Sequence, residues 1–593
     1  MKNNIVNNLT KLRELMKQKN IDAYIIPTND YHGSEYVGDY FKTRSFISGF
    51  TGSAGSVVVT LTEAGLWADG RYFLQAENEL IGSTIDLYKM GEPGVPTILE
   101  FLNDKLPSNA TIGFDGKVIS IEFVESLKKE LNKENLNIYY QEDLVGQIWE
   151  NRPSISKEKA YELDIKYAGI TRSEKIKQVR EHLTKLKADV LLLTSLDDIA
   201  WLFNLRGNDV ACNPVLLSYA LIGIDYVNLY VNDGVLENEL IAKLNNDEIK
   251  VADYNEIYND VKSLNDSVVV YQKNKVNYSL SALVNCKKVI NEINYTTILK
   301  AIKNETEIKN SYLAHLKDGI AVTKFIYWLK TNVGKIYIDE ITAALKLEEF
   351  RREQENFKGI SFETICGYKE HGAIIHYSAT IDSKIEILPK SFVLVDSGGQ
   401  YLEGTTDITR TISLGNLTEK EIKYYTYVLQ GHLALSNQVF RNGTTGGQLD
   451  IVARTPLYKA GLNYNHGTGH GVGSFLNVHE GPQNISPTPR AAYPFSEGMI
   501  TSNEPGVYLE NEFGIRIENL IVCKKYAENE FGKFLCFDDL TLVPYDIEAI
   551  DQTILTENDK VYIHTYHEKV YNALKDYLTT EEKNWLYNIK EAI

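Results

Sequence analysis

The sequence of 593 residues has few cysteines and no long apolar run, and these absences exclude several classes of protein. Its five cysteines are scattered and form no CxxC pair, so we expect no disulfide framework and a reducing, cytoplasmic environment. No run of 18 or more apolar residues predicts a membrane span. The first residues lack the apolar segment of a secretory signal peptide. The zinc-binding helix signature HExxH is also missing.

Basic charge is also in short supply. Lysine and arginine number 62 against 80 acidic residues, which gives a net charge of −18. A protein this acidic is not expected to bind nucleic acid or an anionic membrane. The hydrophobic fraction of 43% and the charged fraction of 24% are those of a folded globular protein. At this length the sequence predicts about three or four domains.

Hydrophobic periodicity predicts two α/β domains in the first half of the chain. Leu9, Leu12, Leu15 and Met16 recur at helical spacing, and AYIIPT (23–28) has the composition of a buried strand. The same order of helix and strands returns in KIKQVREHLTKLKA, VLLLTSLDDIAWLFNLRG, VLLSYALIGI and VNLYVN, which indicates a repeat of the first architecture. A polar linker near residues 150–157 separates the two copies. We therefore predict domains at 1–155 and 156–302.

The third predicted domain, 303–593, opens with a long helix for which Thr306 is a candidate cap. Helices then alternate with glycine-rich strands and turns up to about residue 545. The tail contains the helical pattern VYNALKDYL, which we interpret as a packing or dimerisation element.

Two aspartates of the third domain lie in apolar or Thr-rich surroundings. Asp396 ends the apolar run 392–395, and Asp407 follows eleven residues later. A buried carboxylate is costly unless a cation or hydrogen-bond donors compensate its charge. Capping of turns is the alternative role for such residues.

Three histidines lie together in NHGTGHGVGSFLNVHEGP. His466, His470 and His479 occupy 14 positions with five glycines nearby, although the whole chain has only 11 histidines. Glycine permits positive φ and a close approach of backbone to a ligand. The glycines argue against a helix through His466 and His470. The cluster indicates a ligand site.

Further candidates are Glu504 in SNEPGVY, Glu518 in FGIRIENLIV and His376 in HGAIIHY. In a strand, residues two apart share a face, so we expect Arg516 to orient a carboxylate near Glu518 or across the sheet. A solvent-facing salt-bridged edge is the alternative. Four carboxylates with histidine suit two hard divalent cations such as manganese, with cobalt, iron or zinc as alternatives.

At these residues the sequence resembles the pita-bread metallopeptidases of family M24 and, among them, aminopeptidase P. The resemblance places the five metal ligands on Asp396, Asp407, His470, Glu504 and Glu518, and three further active-site histidines on His376, His466 and His479. SGFTGSAG, WADGRYFLQA and DDIAWLFNLRG resemble the two N-terminal domains of the long cytosolic form. One departure is His371, where the family pattern NGAIIHY has asparagine.

The resemblance implies two creatinase-like α/β domains followed by a pita-bread catalytic domain. It implies an aminopeptidase that removes the residue before a proline by a metal-bridging hydroxide. Asp396 would bind one ion, His470 and Glu504 the other, and Asp407 and Glu518 both. Glu504 would transfer the proton, and His376, His466 and His479 would bind substrate or stabilise the oxyanion, with Arg516 in support. A cytoplasmic homodimer is implied.

Two alternatives remain at this point. One is a prolidase of the same fold, which would cleave only dipeptides ending in proline. The other is a non-catalytic pita-bread module that binds peptides or proteins.

Overall fold

The computed structural model describes residues 2–131 and 135–593, and the chain forms two compact units. The first comprises Met1–Leu163 and Ile170–Thr296, and the second comprises Asp164–Gly169 and Thr297–Ile593. The described helices up to the boundary are α1 (Lys2–Gln18), α2 (Thr43–Ser48), α3 (Phe73–Glu79), α4 (Ile98–Lys105), α5 (Ile121–Glu130), α6 (Leu144–Ile148), α7 (Ile165–Ala168), α8 (Arg172–Leu186), α9 (Leu196–Phe203), α10 (Asn238–Asn246), α11 (Ile257–Asp260), α12 (Tyr278–Ser281) and α13 (Tyr295–Ala301). Of these, α7 belongs to the second unit, and α13 crosses the boundary.

The first sheet of the first unit has six strands in the order β4-β3-β2-β1-β5-β6. They are β1 (Ala23–Pro27), β2 (Ser56–Thr60), β3 (Ala64–Ala68), β4 (Asp86–Lys89), β5 (Thr111–Phe114) and β6 (Asn137–Tyr139). The predicted AYIIPT strand is thus confirmed as β1, and it lies in the middle of the sheet. Leu9, Leu12 and Met16 form the buried face of α1 against this layer, as their spacing predicts.

The second sheet repeats the first, which confirms the repeat inferred from sequence. Its order is β12-β11-β10-β8-β13-β14, and its pairings are antiparallel or parallel at the same places as in the first sheet. The strands, with the short ladder of β7 and β9, are β7 (Tyr161–Glu162), β8 (Val190–Leu193), β9 (Leu205–Arg206), β10 (Ser218–Gly223), β11 (Val227–Val231), β12 (Lys250–Asp253), β13 (Val268–Tyr271) and β14 (Lys288–Asn291).

The second unit contains two three-stranded sheets, β15-β18-β19 and β16-β17-β20, the six-stranded sheet β21-β28-β27-β24-β22-β23 and the hairpin β25-β26. Its strands are β15 (Phe357–Ile360), β16 (Ile365–Tyr368), β17 (Phe392–Ser397), β18 (Gly399–Tyr401), β19 (Gly404–Thr405), β20 (Ile408–Ser413), β21 (Phe440–Arg441), β22 (Gly469–Gly471), β23 (Glu480–Ile485), β24 (Ile500–Asn503), β25 (Gly506–Leu509), β26 (Phe513–Arg516), β27 (Asn519–Asn529) and β28 (Gly532–Asp539).

Helices pack on these sheets and enclose the main hydrophobic core of the second unit. They are α14 (Glu305–Asn332), α15 (Glu340–Arg352), α16 (Glu419–Ser436), α17 (Gly446–Lys459), α18 (Glu557–Leu574) and α19 (Thr580–Lys590). The expected cap Thr306 is wrong. Asn304 caps α14 in a capping box with Glu307, because the helix begins one residue before Thr306. Val570 and Leu574 of the tail are buried in the core, so the tail is a packing element.

No disulfide joins the five cysteines, in line with their spacing. Among the described residues, no helix has the length and apolar character that a membrane crossing requires.

Candidate metal centre

A β-hairpin brings the two aspartates to the same end of a sheet. Strands β17 and β20 pair antiparallel, with Asp396 opposite Thr409 and Ser397 opposite Ile408. Asp407 directly precedes β20 and therefore lies beside the end of β17. Both aspartates are buried. The ten residues between them, which include β18 and β19, thus return the chain so that the two acids lie side by side.

Strands of the six-stranded sheet supply the other carboxylates. Asn503 ends β24 and pairs with Asn519, which begins β27, so Glu504 and Glu518 flank the same end of this ladder. The Glu518 N–H donates to the Thr409 carbonyl (3.1 Å), which joins this sheet to the aspartate hairpin. The predicted strand through Arg516 and Glu518 is wrong, because β26 ends at Arg516 and a short connection carries Glu518.

The glycine-rich stretch places His470 in strand β22, not in a helix. The N–H of His470 donates to Ser502 Oγ (2.9 Å), and the neighbouring Gly471 pairs with Thr501. Gly469 is required here, since a Cβ at this position would lie 2.0 Å from the Ser502 carbonyl oxygen. The glycines therefore allow the histidine strand to lie directly against β24.

These side chains converge on one cluster. Three groups of residues each offer ligand atoms within 4.8 Å of one another: Asp396, Asp407 and Glu518; His470, Glu504 and Glu518; and Asp407, His470 and His479. Asp407, Glu518 and His470 each belong to two of the groups. The three groups overlap, so the cluster is continuous and neighbouring groups share ligands.

The hydrogen bonds of the carboxylates leave specific oxygen atoms available. Asp396 accepts from Arg516 Nη2 at Oδ2 (2.6 Å), and Glu518 accepts from Thr409 Oγ1 at Oε2 (2.6 Å). Asp396 Oδ1 and Glu518 Oε1 are buried and have no hydrogen-bond partner. Buried carboxylate oxygens require compensation, which bound cations would supply. The residues therefore fit divalent metal ions.

The imidazole of His470 is oriented in the same way. Its Nδ1 lies 3.0 Å from the Gly471 carbonyl oxygen, an acceptor, so Nδ1 carries the proton. Its Nε2 faces Asp407 Oδ2 at 3.4 Å and Glu504 Oε1 at 3.6 Å. A backbone acceptor on one nitrogen thus fixes the tautomer that presents the other nitrogen to a metal.

The electrostatics of the cluster favour bound cations. Burial raises the pKa of the Glu518 carboxyl well above its ordinary value, and the charges of Asp407 and Glu504 raise it further. Burial likewise raises the pKa values of Asp396 and Glu504. Burial opposes protonation of His470, but the bond to Asp407 and the charge of Glu504 raise its pKa to about 9. The raised pKa values of the carboxyls reflect burial and mutual repulsion of their charged forms, and bound cations would relieve both.

Comparison with known proteins identifies the family. The profile described as metallopeptidase family M24 matches residues 313–525. A curated relative, "Probable Xaa-Pro aminopeptidase P" from Laccaria bicolor, is 40% identical over 98% of this chain and 93% of its own. The chain belongs to metallopeptidase family M24.

The N-terminal half of this M24 chain also has relatives. Profiles described as the creatinase/prolidase N-terminal domain match residues 8–141 and 151–307, and the C-terminal region of peptidase M24 matches 533–593. The predicted fold class, two creatinase-like domains followed by a pita-bread domain, is confirmed.

Two solved structures show how far the likeness extends. X-prolyl aminopeptidase from Caenorhabditis elegans, described as a cytosolic enzyme with a di-nuclear active site, is 32% identical. It matches 99% of this chain and 100% of its own with a TM-score of 0.95. Xaa-Pro dipeptidase from Bacillus anthracis is 22% identical, covers 63% of this chain and 99% of its own, and has a TM-score of 0.51. That second likeness is one of fold alone.

The structure places the other predicted histidines of this M24 chain as follows. The His479 ring lies edge-on to His470, with centroids 4.2 Å apart. His466 Nε2 lies 2.8 Å from Tyr508 Oη. His376 lies in the turn after the 3₁₀ helix Lys369–Ala373, next to Ile375, whose carbonyl accepts from Arg516 Nη2 at 3.3 Å. His371, the departure from the family pattern, bonds the buried Glu340 through Nδ1 at 2.9 Å.

Two residues of the site escaped the sequence-based reasoning. Thr409 bonds both Glu518 and Arg516 Nε (3.2 Å), and Tyr508 links Arg516 Nη1 (2.8 Å) to His466. Thr409 lies two residues after Asp407, and Tyr508 ends the quoted SNEPGVY stretch. Pairing β25 with β26 as a hairpin across the polar turn 510–512 would have brought Tyr508 near Arg516.

Proposed function

We propose that this protein is a metal-dependent aminopeptidase that hydrolyses the bond between an N-terminal residue and a following proline. The observation that carries the proposal is the continuous cluster of Asp396, Asp407, His470, Glu504 and Glu518, in which one buried oxygen of Asp396 and one of Glu518 have no hydrogen-bond partner. Relatives named Probable Xaa-Pro aminopeptidase P, which match 98% of this chain, support the substrate class.

The proposed cofactor is a pair of divalent ions, with manganese as the proposed metal because most of the donors are hard carboxylate oxygens. Asp396 would hold one ion, His470 and Glu504 the other, and Asp407 and Glu518 would be shared. Two such ions supply a water of lowered pKa and polarise the scissile carbonyl.

The side chains supply the proton transfers and the binding of substrate. Glu504 Oε1 would accept the proton of the attacking water and return one to the proline nitrogen, which must be protonated as the bond breaks. His376 and His479 would donate to the carbonyl oxygen as its negative charge develops. His466, oriented by Tyr508, would face the substrate. Arg516 would hold Asp396 in place.

Substrate cleavage tests this function directly. Peptides of the form Xaa-Pro-Yaa-Zaa are incubated with the full chain and manganese, zinc or cobalt, beside Xaa-Ala-Yaa-Zaa and N-acetylated controls. We expect release of the free first residue from the proline peptides alone and loss of this activity after chelation. Cleavage confined to Xaa-Pro dipeptides would establish the prolidase alternative. A pure protein with neither bound metal nor activity would favour the non-catalytic module.

We further propose a homodimer in the cytoplasm, which native mass measurement and cell fractionation would test. The domain boundaries at 155/156 and 302/303 stay a prediction, and limited proteolysis followed by mass spectrometry would test them.

A further inference from the structure

A second cluster of charged side chains is buried in the second unit, and the proposed reaction does not use it. Lys300 Nζ lies 2.8 Å from Glu480 Oε2, and Lys303 Nζ bonds Glu480 Oε1. Lys303 Nζ also donates to the Lys300 carbonyl at 2.9 Å. All three side chains are at most 1% exposed. We call these three residues the lysine clamp.

Stability alone gives little reason to bury such a cluster. Removing three charged groups from water carries a large desolvation cost, which ion pairing does not reliably recover. Apolar side chains of similar volume generally serve a core at least as well. A cluster of this kind is better suited to fixing one position for the backbone that carries it.

The backbone carried by the lysine clamp is that of the metal centre. Glu480 directly follows His479 and begins β23, where it pairs with Gly471, the residue after His470. A Cβ at Gly473 would lie 3.1 Å from Glu480 Oε2, so the histidine-bearing loop rests on this carboxylate. Glu480 is therefore the chain neighbour of His479 and the sheet partner of the residue that follows His470, and the rings of these two histidines are 4.2 Å apart.

The two lysines are themselves firmly held. Lys300 belongs to α13, and the N–H of Lys303 donates to the Gly498 carbonyl at 3.1 Å, just before α14 begins. Neighbouring Ile302 forms a bridge with Met499, which leads into β24 and the Glu504 ligand. The lysine clamp thus connects the start of the second unit with β23 and β24, the two strands beside the His470 strand β22.

We infer that Lys300, Lys303 and Glu480 are positioning residues that hold His479 against His470 and so fix its approach to the substrate carbonyl. This inference rests on the proposed function. Because His479 is assigned to the developing oxyanion, a loosened clamp should lower kcat and leave KM nearly unchanged.

The test replaces the clamp with uncharged side chains of similar length, K300M/K303M/E480M, so that no single charge is left buried. In crystals of the metal-free variant we expect the ring separation of His470 and His479 to exceed about 6 Å, or His479 to take several rotamers. With manganese and a proline-second peptide, we expect kcat to fall about 10- to 100-fold and KM to change less than about threefold. In this background His479→Ala should lower kcat by less than about a further threefold, whereas in the native chain it should cause its full loss of kcat.

A matched control exists in the same unit. Lys524, Lys569 and Asp538 also place two lysines around one carboxylate, but their side chains are 35–42% exposed. K524M/K569M/D538N should leave kcat within about twofold. If the triple Met variant does not fold, K303M alone, which keeps the Lys300–Glu480 pair, should give smaller changes in the same direction.

The inference is overturned if, in the triple Met variant, the ring separation stays near 4.2 Å and kcat stays within twofold of the native value. It is also overturned if His479→Ala lowers kcat by the same factor in the triple Met variant as in the native chain. Failure of the proposed function is distinguishable from this outcome. A native chain that cleaves no proline-second peptide would refute the function, and the ring geometry would still decide the role of the clamp.

Discussion

Each of the two units buries an aspartate, but the surroundings of these two side chains differ. Asp30 in the first unit accepts the N–H groups of His32 and Ser34 at Oδ1 and has no partner at Oδ2. Asp396 in the second unit has one bonded and one unpartnered oxygen as well, but it lies within 4.8 Å of Asp407 and Glu518. Among the described residues, every such metal-compatible group belongs to the second unit. An unsatisfied buried oxygen is therefore weak evidence of a site, whereas accumulated like charge is strong evidence.

The largest expected effect comes from exchanging these two aspartates separately. Asp396→Asn keeps the shape but removes a ligand charge, so we expect kcat/KM with manganese to fall at least about 1000-fold, or about 4 kcal/mol. Asp30→Asn is the matched control and should leave kcat/KM within about threefold. Circular dichroism confirms that both variants are folded. Equal losses in the two variants would refute the distinction between the units.

Metal removal should give the second unit a pH dependence of stability. His470 has a folded pKa of about 9 against 6.5, so its contribution is complete below pH 6.5 and is lost as pH rises through 9. That contribution is about 3 kcal/mol, and the raised pKa values of Asp396, Glu504 and Glu518 act in the same direction. Chelated protein should therefore lose stability from pH 6 to 9.5. Denaturant titrations of chelated and manganese-loaded protein measure this, and parallel pH profiles would contradict it.

Arginines offer a comparison of intermediate size. Arg516 bonds Asp396, Tyr508 and Thr409 in three directions, which a lysine does not reproduce. Arg516→Lys should weaken manganese affinity or activity about 10- to 100-fold. Arg44 of the first unit bonds Thr28 Oγ1 and the Phe50 carbonyl, so Arg44→Lys should lower thermal stability and leave the activity of the folded fraction unchanged. Isothermal titration with manganese distinguishes the Arg516→Lys variant from the Arg44→Lys variant. Similar manganese affinities in these two variants would count against the role of Arg516.

The smallest expected effect is that of the Tyr508 hydroxyl. Tyr508→Phe removes the link between Arg516 and His466 and should cost about 1 kcal/mol, or roughly fivefold in kcat. Tyr526, which is 63% exposed on the β27–β28 hairpin, provides the control. Tyr526→Phe should leave steady-state kinetics unchanged. Identical rates for all three proteins would show that Tyr508 does not orient His466.

Local patterns in the sequence predicted much of this structure. The apolar run of AYIIPT identified β1, and the recurrence of helix and strand patterns identified the second sheet. The acids and histidines of the candidate site stood out because charge is unusual in apolar or glycine-rich stretches, and the family resemblance ordered them. The side-chain chemistry of the candidate site is therefore evident from the sequence.

The contacts that the sequence did not predict join residues far apart in the chain, and they depend on which strands become neighbours. The bond from Thr409 to Glu518 spans 109 residues, and that from Lys300 to Glu480 spans 180. No short-range period encodes such pairs, because sheet register and the paths of connections decide them. The error at Thr306 has a smaller cause, since Asn304 and Glu307 compete successfully for the helix start.

Arg410 has a consequence for synthesis of the chain. Its guanidinium bonds the Glu518 carbonyl and also the Val543 carbonyl and Tyr566 Oη, so it ties the last acidic ligand to residues that are synthesised after it. A ribosome-bound chain shorter than 566 residues lacks the bond to Tyr566, one shorter than 543 also lacks the bond to Val543, and one shorter than 518 lacks the ligand itself. We therefore expect the metal centre to reach its final arrangement only after the segment that carries Tyr566 has left the ribosome.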